Sequence, residues 1–547
     1  VKLLPKDAEI FAEYPRAIAH MHRQLRSRRF GLILGSGVSK PLGFPNWKDL
    51  IKRIAEDPSV CGVDLIATLQ DKPLPLQAQI LFKRFCERTG KEVAGNWPES
   101  DAQRIVRARW RNLVHDCLYR DVQTDPTALR NSVYGHFARV VKDSPMTVTY
   151  NFDDSLERLI LDDRSQQEEE TTRGYETVVD ARLQFQRDSA IIYHPNGFLP
   201  YNLLDNPSEH VVLTEDSFGD QLIETMSGHF ASLVNHLSKN TCLFLGLSLE
   251  DQTLRHILRQ HARMNPGHVH YYVQFVNEPP SEETRKAERD ANFGVFNLVT
   301  LFLDRDGLAS LGRLIVAAQE DILEVGRQAG QRTGYIFYVT GVPGSGKTTT
   351  TSYLRNLITY DEWLEQRPAN LAKPHAQLTD EQRKEVDEWI MEQIHVKNNR
   401  LDSDSTSSPI GIRFVDRCLI DPVVFSKDDQ WPDKARAIKR KIAPGLSEQT
   451  VRSGHVILLI GDEKEMAVRV ESQNKESDPD YTRRLQRAME RLYAREPGVT
   501  HLDVRGMSVG EVVKRVSEIV HLNDYAECNL QNLLDQVDSG KIVPPAD

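Results

Sequence analysis

The sequence has little of several things, and each scarcity narrows the class of protein it encodes. No apolar run approaches the ~18 residues that a membrane-spanning helix needs, so no membrane partner is expected. Only six of the 547 residues are cysteine (Cys61, Cys86, Cys117, Cys242, Cys418 and Cys528), and none stands in a CxxC pair. That spacing offers neither a disulfide framework nor a zinc ribbon. Positive charge is not in excess: the formal net charge of −10 argues against a general nucleic-acid coat. There is no internal repeat, which removes solenoid architectures. The first residues, VKLLPKDAEIFAEYPRAIAHMHRQ, are charged throughout and lack the apolar core of a signal peptide, so a cytoplasmic location is expected. What remains is an ordinary globular composition, 39% hydrophobic and 27% charged. The length suits roughly two to four domains.

Apolar strands alternate with helical patterns, which predicts an α/β fold with parallel, doubly wound sheets. Residues 8–28 read as one amphipathic helix, and FGLILGSGVSK (30–40) as a buried strand entering a glycine turn. Residues from about 47 to 142 read as helical throughout. Further strands are predicted in MTVTYNFDD (146–154), AIIYH (190–194), NTCLFLG (240–246), HVHYYVQFV (268–276) and FNLVTLFLD (296–304), and EHVVLTEDSF (209–218) reads as a short strand followed by a helix start. DDRSQQEEETTRGYE (162–176) reads as a solvated loop and LDSDSTSSP (401–409) as a mobile serine-rich loop. The linker GRQAGQRTG precedes a second α/β unit opening at YIFYVT (335–340), and the tail after about 538 shows no packing pattern. The expected domains are therefore 1–328, with a helical insertion at about 47–142, and 335–547.

The most specific motif is Gly341-Val342-Pro343-Gly344-Ser345-Gly346-Lys347-Thr348, which fits G-x-x-x-x-G-K-[ST] between an apolar strand and a helical pattern. Its glycines let backbone N–H groups face a phosphate chain. Gly341, Gly344, Ser345, Gly346, Lys347, Thr348 and Thr349 are the candidate nucleotide-binding residues. Lys347 would neutralise phosphates, and Thr348 would ligate Mg²⁺. GIRFVDRCLIDPVVF (411–425) puts Asp416 and Arg417 at a strand end, where a carboxylate can hold Mg²⁺ and an arginine can clamp a phosphate. An ordinary strand-end ion pair is the competing reading. The unit, over roughly 335–525, resembles the nucleoside and nucleotide monophosphate kinases, which implies ATP or another nucleotide as ligand. The stretch VESQNKESDPDYTRR, where those kinases carry a lid rich in arginine, holds only Lys475, Arg483 and Arg484 as cations. A nucleotide-sensing domain is thus as well supported as a kinase.

In the first domain, polar or glycine turns follow four strands: Gly35-Ser36-Gly37-Val38-Ser39, Tyr150-Asn151-Phe152-Asp153-Asp154, His194-Pro195-Asn196-Gly197 and Gly246-Leu247-Ser248. In a parallel sheet such turns converge on one crevice. Together GSGVSKPLGFPNW, TVTYNFDD and CLFLGLSL resemble the sirtuin family over about 20–305, and within it the bacterial sirtuin-like NAD hydrolases of antiphage defence. The resemblance implies a Rossmann-type domain with NAD as substrate. Asn151 would be the catalytic asparagine and Asp153 the nicotinamide-side aspartate. Gly35, Ser36, Gly37, Val38, Ser39, Pro45, Asn46, Trp47, Gly246 and Ser248 would bind NAD. Deacylating sirtuins carry a four-cysteine zinc ribbon; its absence here favours hydrolysis of NAD. The resemblance also implies a homo-oligomer and a trigger, either a phage-derived nucleotide or a phage protein. The second open reading is a nucleotide kinase or binding module whose first domain only binds NAD or ADP-ribose.

One departure concerns IIYHPNGFLP (191–200). The family carries its catalytic histidine directly before the glycine of this turn, and Asn196 stands there. An amide is no base near neutral pH, so His194 is the candidate general base, if the Pro195 bend swings it into the crevice. A structural histidine is the alternative.

Overall fold

FGLIL, TCLFL and LVTLFL are apolar at consecutive positions, a pattern that fits strands covered on both faces. In the computed structural model these are β1 (Phe30–Leu34), β5 (Thr241–Leu245) and β7 (Leu298–Leu303), buried along their whole length. The structure describes residues 4–93, 98–165, 174–179, 189–209, 211–226, 231–249, 252–372, 378–443, 449–472, 478–494 and 496–545. With β2 (Met146–Thr149), β3 (Tyr175–Val178), β4 (Ala190–Tyr193) and β6 (His270–Phe275), these strands form a seven-stranded sheet ordered β3-β4-β2-β1-β5-β6-β7. Every pairing is parallel. Helices Trp47–Glu56, Val63–Thr68, Leu74–Val93, Glu99–Tyr119, Pro126–Arg130 and Val133–Asp143 lie between β1 and β2, where the helical insertion is expected.

The second sheet contains β8 (Gly334–Gly341), β9 (Ile358–Tyr360), β10 (Gly411–Asp416), β11 (His455–Ile460) and β12 (Val499–Asp503). Its order is β12-β11-β8-β10-β9, again all parallel. The protein is thus α/β in both halves. By contacts the chain divides into two compact units. One comprises Val1–Ile10, Gln24–His261 and His270–Ala318; the other comprises Phe11–Arg23, Ala262–Val269 and Gln319–Asp547. Phe11–Arg23 and Ala262–Val269 pack inside the second unit through helix Val509–His521. Arg16 Nη1 donates to Val520 O at 2.8 Å and Ser517 Oγ donates to Gly267 O at 3.2 Å. No helix among the described residues is long and apolar enough to cross a membrane.

The structure corrects several local expectations. The single helix at 8–28 is two, Pro5–Glu13 and Pro15–Arg26, because Pro15 disfavours helical backbone at Tyr14. Residues 211–214 form no strand: Leu213 N and Thr214 N donate to Ser217 Oγ, 3.1 and 2.9 Å away, at the start of helix Glu215–Met226. LDSDSTSSP is not a loop but the end of helix Asp380–Ser407. There Thr406 and Ser407 return their hydroxyls to the carbonyls of Asp402 and Ser403, and buried Arg413 donates to the carbonyls of Asp404 and Ser408. Those donors satisfy a helix end that low propensity alone would fray. Strands β3 and β9 are additions. Of the loop expected at 162–176, residues 166–173 lie outside the described residues. The tail after 538 is anchored by Ile542, which packs on the second unit's core.

Candidate functional site

Glycine makes the first crevice possible. A Cβ on Gly35 would sit 2.6 Å from Gly246 O, and one on Gly37 would sit 2.8 Å from Gly246 Cα. Gly246 itself has φ +65°, and a Cβ there would meet Val38 N at 2.5 Å. The turns after β1 and β5 therefore touch backbone to backbone, joined by the hydrogen bonds Gly35 N to Leu245 O and Gly37 N to Gly246 O. These two strands flank the point where the strand order reverses, the place where open α/β sheets bind ligands. Ser36, Gly37 and Ser248 are exposed on these turns, while Val38 and Ser39 are buried beneath.

Asn151, in the turn after β2, reaches into the same place. Its Nδ2 donates to Gly35 O at 3.1 Å and to Tyr134 OH at 2.9 Å, with Ser39 Oγ at 3.5 Å. Asn151 thus joins the turn after β1, which the turn after β5 touches, and Tyr134 of the helical insertion braces it. His194 supplies the fourth turn, but from underneath. It is fully buried, with Nδ1 2.9 Å from Asn151 O and Nε2 2.8 Å from Glu157 Oε1. Burial alone would lower its pKa; the Glu157 carboxylate reverses this and the net shift is upward. Both ring nitrogens are engaged inside the protein, so the imidazole supports the Asn151 turn, and the Pro195 bend does not free it as a base. Asn196 is likewise tied in, donating to Tyr150 O at 3.3 Å and accepting from Gln221 at 3.1 Å. Asn46 caps helix Trp47–Glu56 by accepting from Asp49 N, Trp47 packs edge-on against Phe218, and Pro45 is buried beside them.

Asp153 is buried and accepts from Ser155 N at 3.1 Å, at the start of helix Ser155–Ser165. Burial raises its pKa to about 6; the Ser155 hydrogen bonds oppose this, and the charges of Asp154 and Glu157 add to it. A folded-state pKa above the unfolded one means that stability is full below about pH 4 and falls as pH rises through 6. Asp153→Asn is accordingly expected to raise the unfolding free energy at pH 7.5 by up to about 3 kcal/mol, and by nothing below pH 4. Denaturant titrations at the two pH values check this.

In the second unit the phosphate loop has the backbone its motif requires: Gly341, Gly344 and Gly346 have φ of +146°, +82° and +96°. Lys347 is buried and donates to Gly341 O at 2.8 Å and Val342 O at 2.9 Å, with Ser345 Oγ at 3.4 Å. Thr348 and Thr349 are exposed at the mouth of the loop. Asp416 ends β10 and is fully buried, with the Thr348 hydroxyl as the side-chain group that acts most strongly on its carboxylate. Burial raises its pKa; Thr348 and Lys347 draw it back. Arg417 is not paired with Asp416. It takes the left-handed conformation at φ +67°, uncommon for a side-chain-bearing residue, and its Nε donates to Glu362 at 2.5 Å.

Sequence reasoning missed Glu157, Tyr134, Glu362 and Lys397. Lys397 is buried on helix Asp380–Ser407 and donates to the carbonyls of Asp416 and Glu362, both at 2.9 Å. It is a second cation beside the phosphate loop, and no motif marks it. Of the cations named for a lid, Arg483 pairs with Glu463 and Arg484 with Asp428, while Lys475 lies outside the described residues. Burial pulls both Lys347 and Lys397 down to about 8. A bound phosphate chain would raise them again, so binding would take up protons. Affinity for ATP is expected to fall, above pH 8, by up to about tenfold per pH unit for each of the two lysines that takes up a proton on binding. Calorimetry in buffers of different ionisation enthalpy reads the proton count directly.

Comparison with known families agrees with this geometry. Residues 145–296 match the family described as the SIR2-like domain, and residues 336–508 match the AAA domain family. The chain therefore carries a SIR2-like domain followed by an AAA-type P-loop domain. The SIR2-like match includes Asn151, Asp153, His194, Gly246 and Ser248, and begins after the Gly35–Trp47 segment. No curated protein matches the chain.

Proposed function

We propose that the SIR2-like domain hydrolyses NAD⁺ and that the P-loop domain regulates it by binding a nucleotide. The observation that carries this reading is the fixed Asn151 amide at the meeting of the glycine turns. In the reaction the nicotinamide–ribose bond breaks, water oxygen joins the ribose carbon, and nicotinamide, ADP-ribose and a proton leave. The glycine turns after β1 and β5 give backbone close access to the pyrophosphate. The Asn151 amide orients a ribose hydroxyl and the attacking water. An oxocarbenium-like carbon is electrophilic enough for water that is positioned rather than deprotonated, so a buried His194 suffices as a positioning residue. Asp153 lies on the nicotinamide side.

In the P-loop domain the buried Asp416 carboxylate and the Thr348 hydroxyl that acts on it fit Mg²⁺ as a hard, oxygen-bound cation. When bound, Mg²⁺ would offset charge on the phosphates; Lys347 and Lys397 share that work from the protein. The same Asp416 favours one second reading, phosphoryl transfer to a nucleoside or nucleoside monophosphate. A NAD-depleting effector must be silent at rest, which gives the joined nucleotide-binding domain its purpose: it would sense ATP, a deoxynucleotide or a phage protein in antiphage defence, in an oligomer. Nicotinamide release by the purified chain, with and without ATP and deoxynucleotides, tests the first reading. Product formation across an acceptor panel tests the second.

A further inference from the structure

At the amino-terminal end of the second sheet lies a cavity of about 490 Å³, within the size range of small-ligand sites. Its wall carries four arginines, Arg327, Arg332, Arg413 and Arg452, against one carboxylate, Glu527. Glu527 accepts from Arg332 at 2.6 Å, Arg452 reaches Asp402 at 3.2 Å and Arg327 pairs with Glu324, so part of this charge is balanced. Arg413 is different. It is 1% exposed, and its Nε is a buried donor with no partner. Its Nη2 donates to the main-chain carbonyls of Asp404 and Ser408. Among the described residues no carboxylate is in ion-pair contact with it. The Asp404 carboxylate and the Tyr360 hydroxyl offset part of its charge, but its buried Nε donor is left without a partner, which is costly unless an acceptor completes it. Arg23 adds positive charge close by: its Nη1 donates to Ser408 Oγ at 2.9 Å, and its side chain lies 3.2 Å from the Cβ position of Gly411.

We propose that this cavity binds the phosphate groups of a small anion of nucleotide size, at a site separate from the phosphate loop. The two are separate because β8 runs from Gly334, in the cavity wall, to Gly341, at the phosphate loop. Seven strand steps span about 23 Å, beyond the reach of one triphosphate. Glycine at 334 keeps the cavity floor close-packed, since a Cβ there would sit 2.3 Å from Pro409 O. Arg327 and Leu323 of the wall belong to helix Gln319–Gln328, which opens the second unit directly after Ala318 of the first. Occupancy would therefore act on the segment through which the chain passes from one unit to the other.

The test is calorimetric titration of the full chain with tripolyphosphate, repeated in the presence of ADP. The wild type is expected to bind two equivalents of tripolyphosphate, and Lys347→Ala one. Arg327→Gln combined with Arg452→Gln should weaken the remaining site at least tenfold while leaving the phosphate loop intact. These side chains are 76% and 43% exposed, so the double variant should fold, and its thermal melt verifies that. Competition by ADP at the second site would mean that the phosphates are carried on a nucleotide; binding without competition would mean a bare polyphosphate. One equivalent in the wild type, lost in Lys347→Ala and kept in the arginine variant, overturns the proposal. So does second-site binding that the arginine variant leaves unchanged.

Discussion

Asn151→Ala is expected to lower NAD hydrolysis by about 100- to 1000-fold, the order seen when one preorganised hydrogen-bonding group is removed from a reacting centre; with both Nδ2 hydrogens held by Gly35 O and Tyr134 OH, that group is Oδ1, which accepts from the ribose hydroxyl or the water. The amide is pinned by Gly35 O and Tyr134 OH before any substrate arrives, so its orientation costs nothing at the moment of reaction. Tyr134→Phe removes one of the pins and keeps the ring. It is expected to lower kcat by a smaller factor, with KM for NAD little changed, because the tyrosine orients Asn151 and not the dinucleotide. Steady-state kinetics of the two variants, with melting curves as folding controls, separate these effects. Equal losses in kcat and in stability for Tyr134→Phe would mean a packing role alone.

The second large effect is expected at the pair His194–Glu157. Removing one partner of a buried ion pair leaves the other uncompensated and typically costs about 3–5 kcal/mol. His194→Ala should therefore destabilise the SIR2-like domain by that order and remove activity with it. Glu157→Gln is milder, since the amide oxygen can still accept from the imidazole. Its informative readout is pH. The histidine's pKa is raised in the folded state, so its contribution to stability is complete below about 6.5 and is lost as pH rises through the folded-state value. Glu157→Gln lowers that pKa, and the loss should move to lower pH. A stability profile identical to wild type would show that the pair does not titrate as a unit. A His194→Ala variant that hydrolyses NAD at full rate would remove the imidazole from the mechanism altogether.

Much of the architecture is legible in local pattern. The apolar runs FGLIL, TCLFL and YIFYVT can hardly be anything but central parallel strands, and the glycines after them mark where backbone must approach backbone or phosphate. Gly246 and Gly35 are legible as turns; that they touch each other is a fact of strand order, which no local window holds. The His194 role fails for a similar reason. IIYHPNG fixes the residue at a strand end, but its partner Glu157 lies on a helix after another strand, and only the fold shows that both ring nitrogens are used. Glu157 leaves a faint trace, standing four residues after Asp153 in the first turn of the helix that follows it. Tyr134 and Lys397 leave none, since each sits on a helix whose charged or aromatic residues look alike in sequence. The serine-rich segment 401–409 was misleading because its helix end is held by Arg413, a residue beyond the segment itself.

The central claim is that one chain joins an NAD-cleaving site at Asn151 to a nucleotide site at Lys347. The most direct test is nicotinamide release from NAD by the purified chain across a panel of ATP, ADP and deoxynucleoside triphosphates with Mg²⁺. The expected result is release that depends on Asn151, with a nucleotide response that Lys347→Ala abolishes. No release under any condition, or equal release from Asn151→Ala, would contradict it.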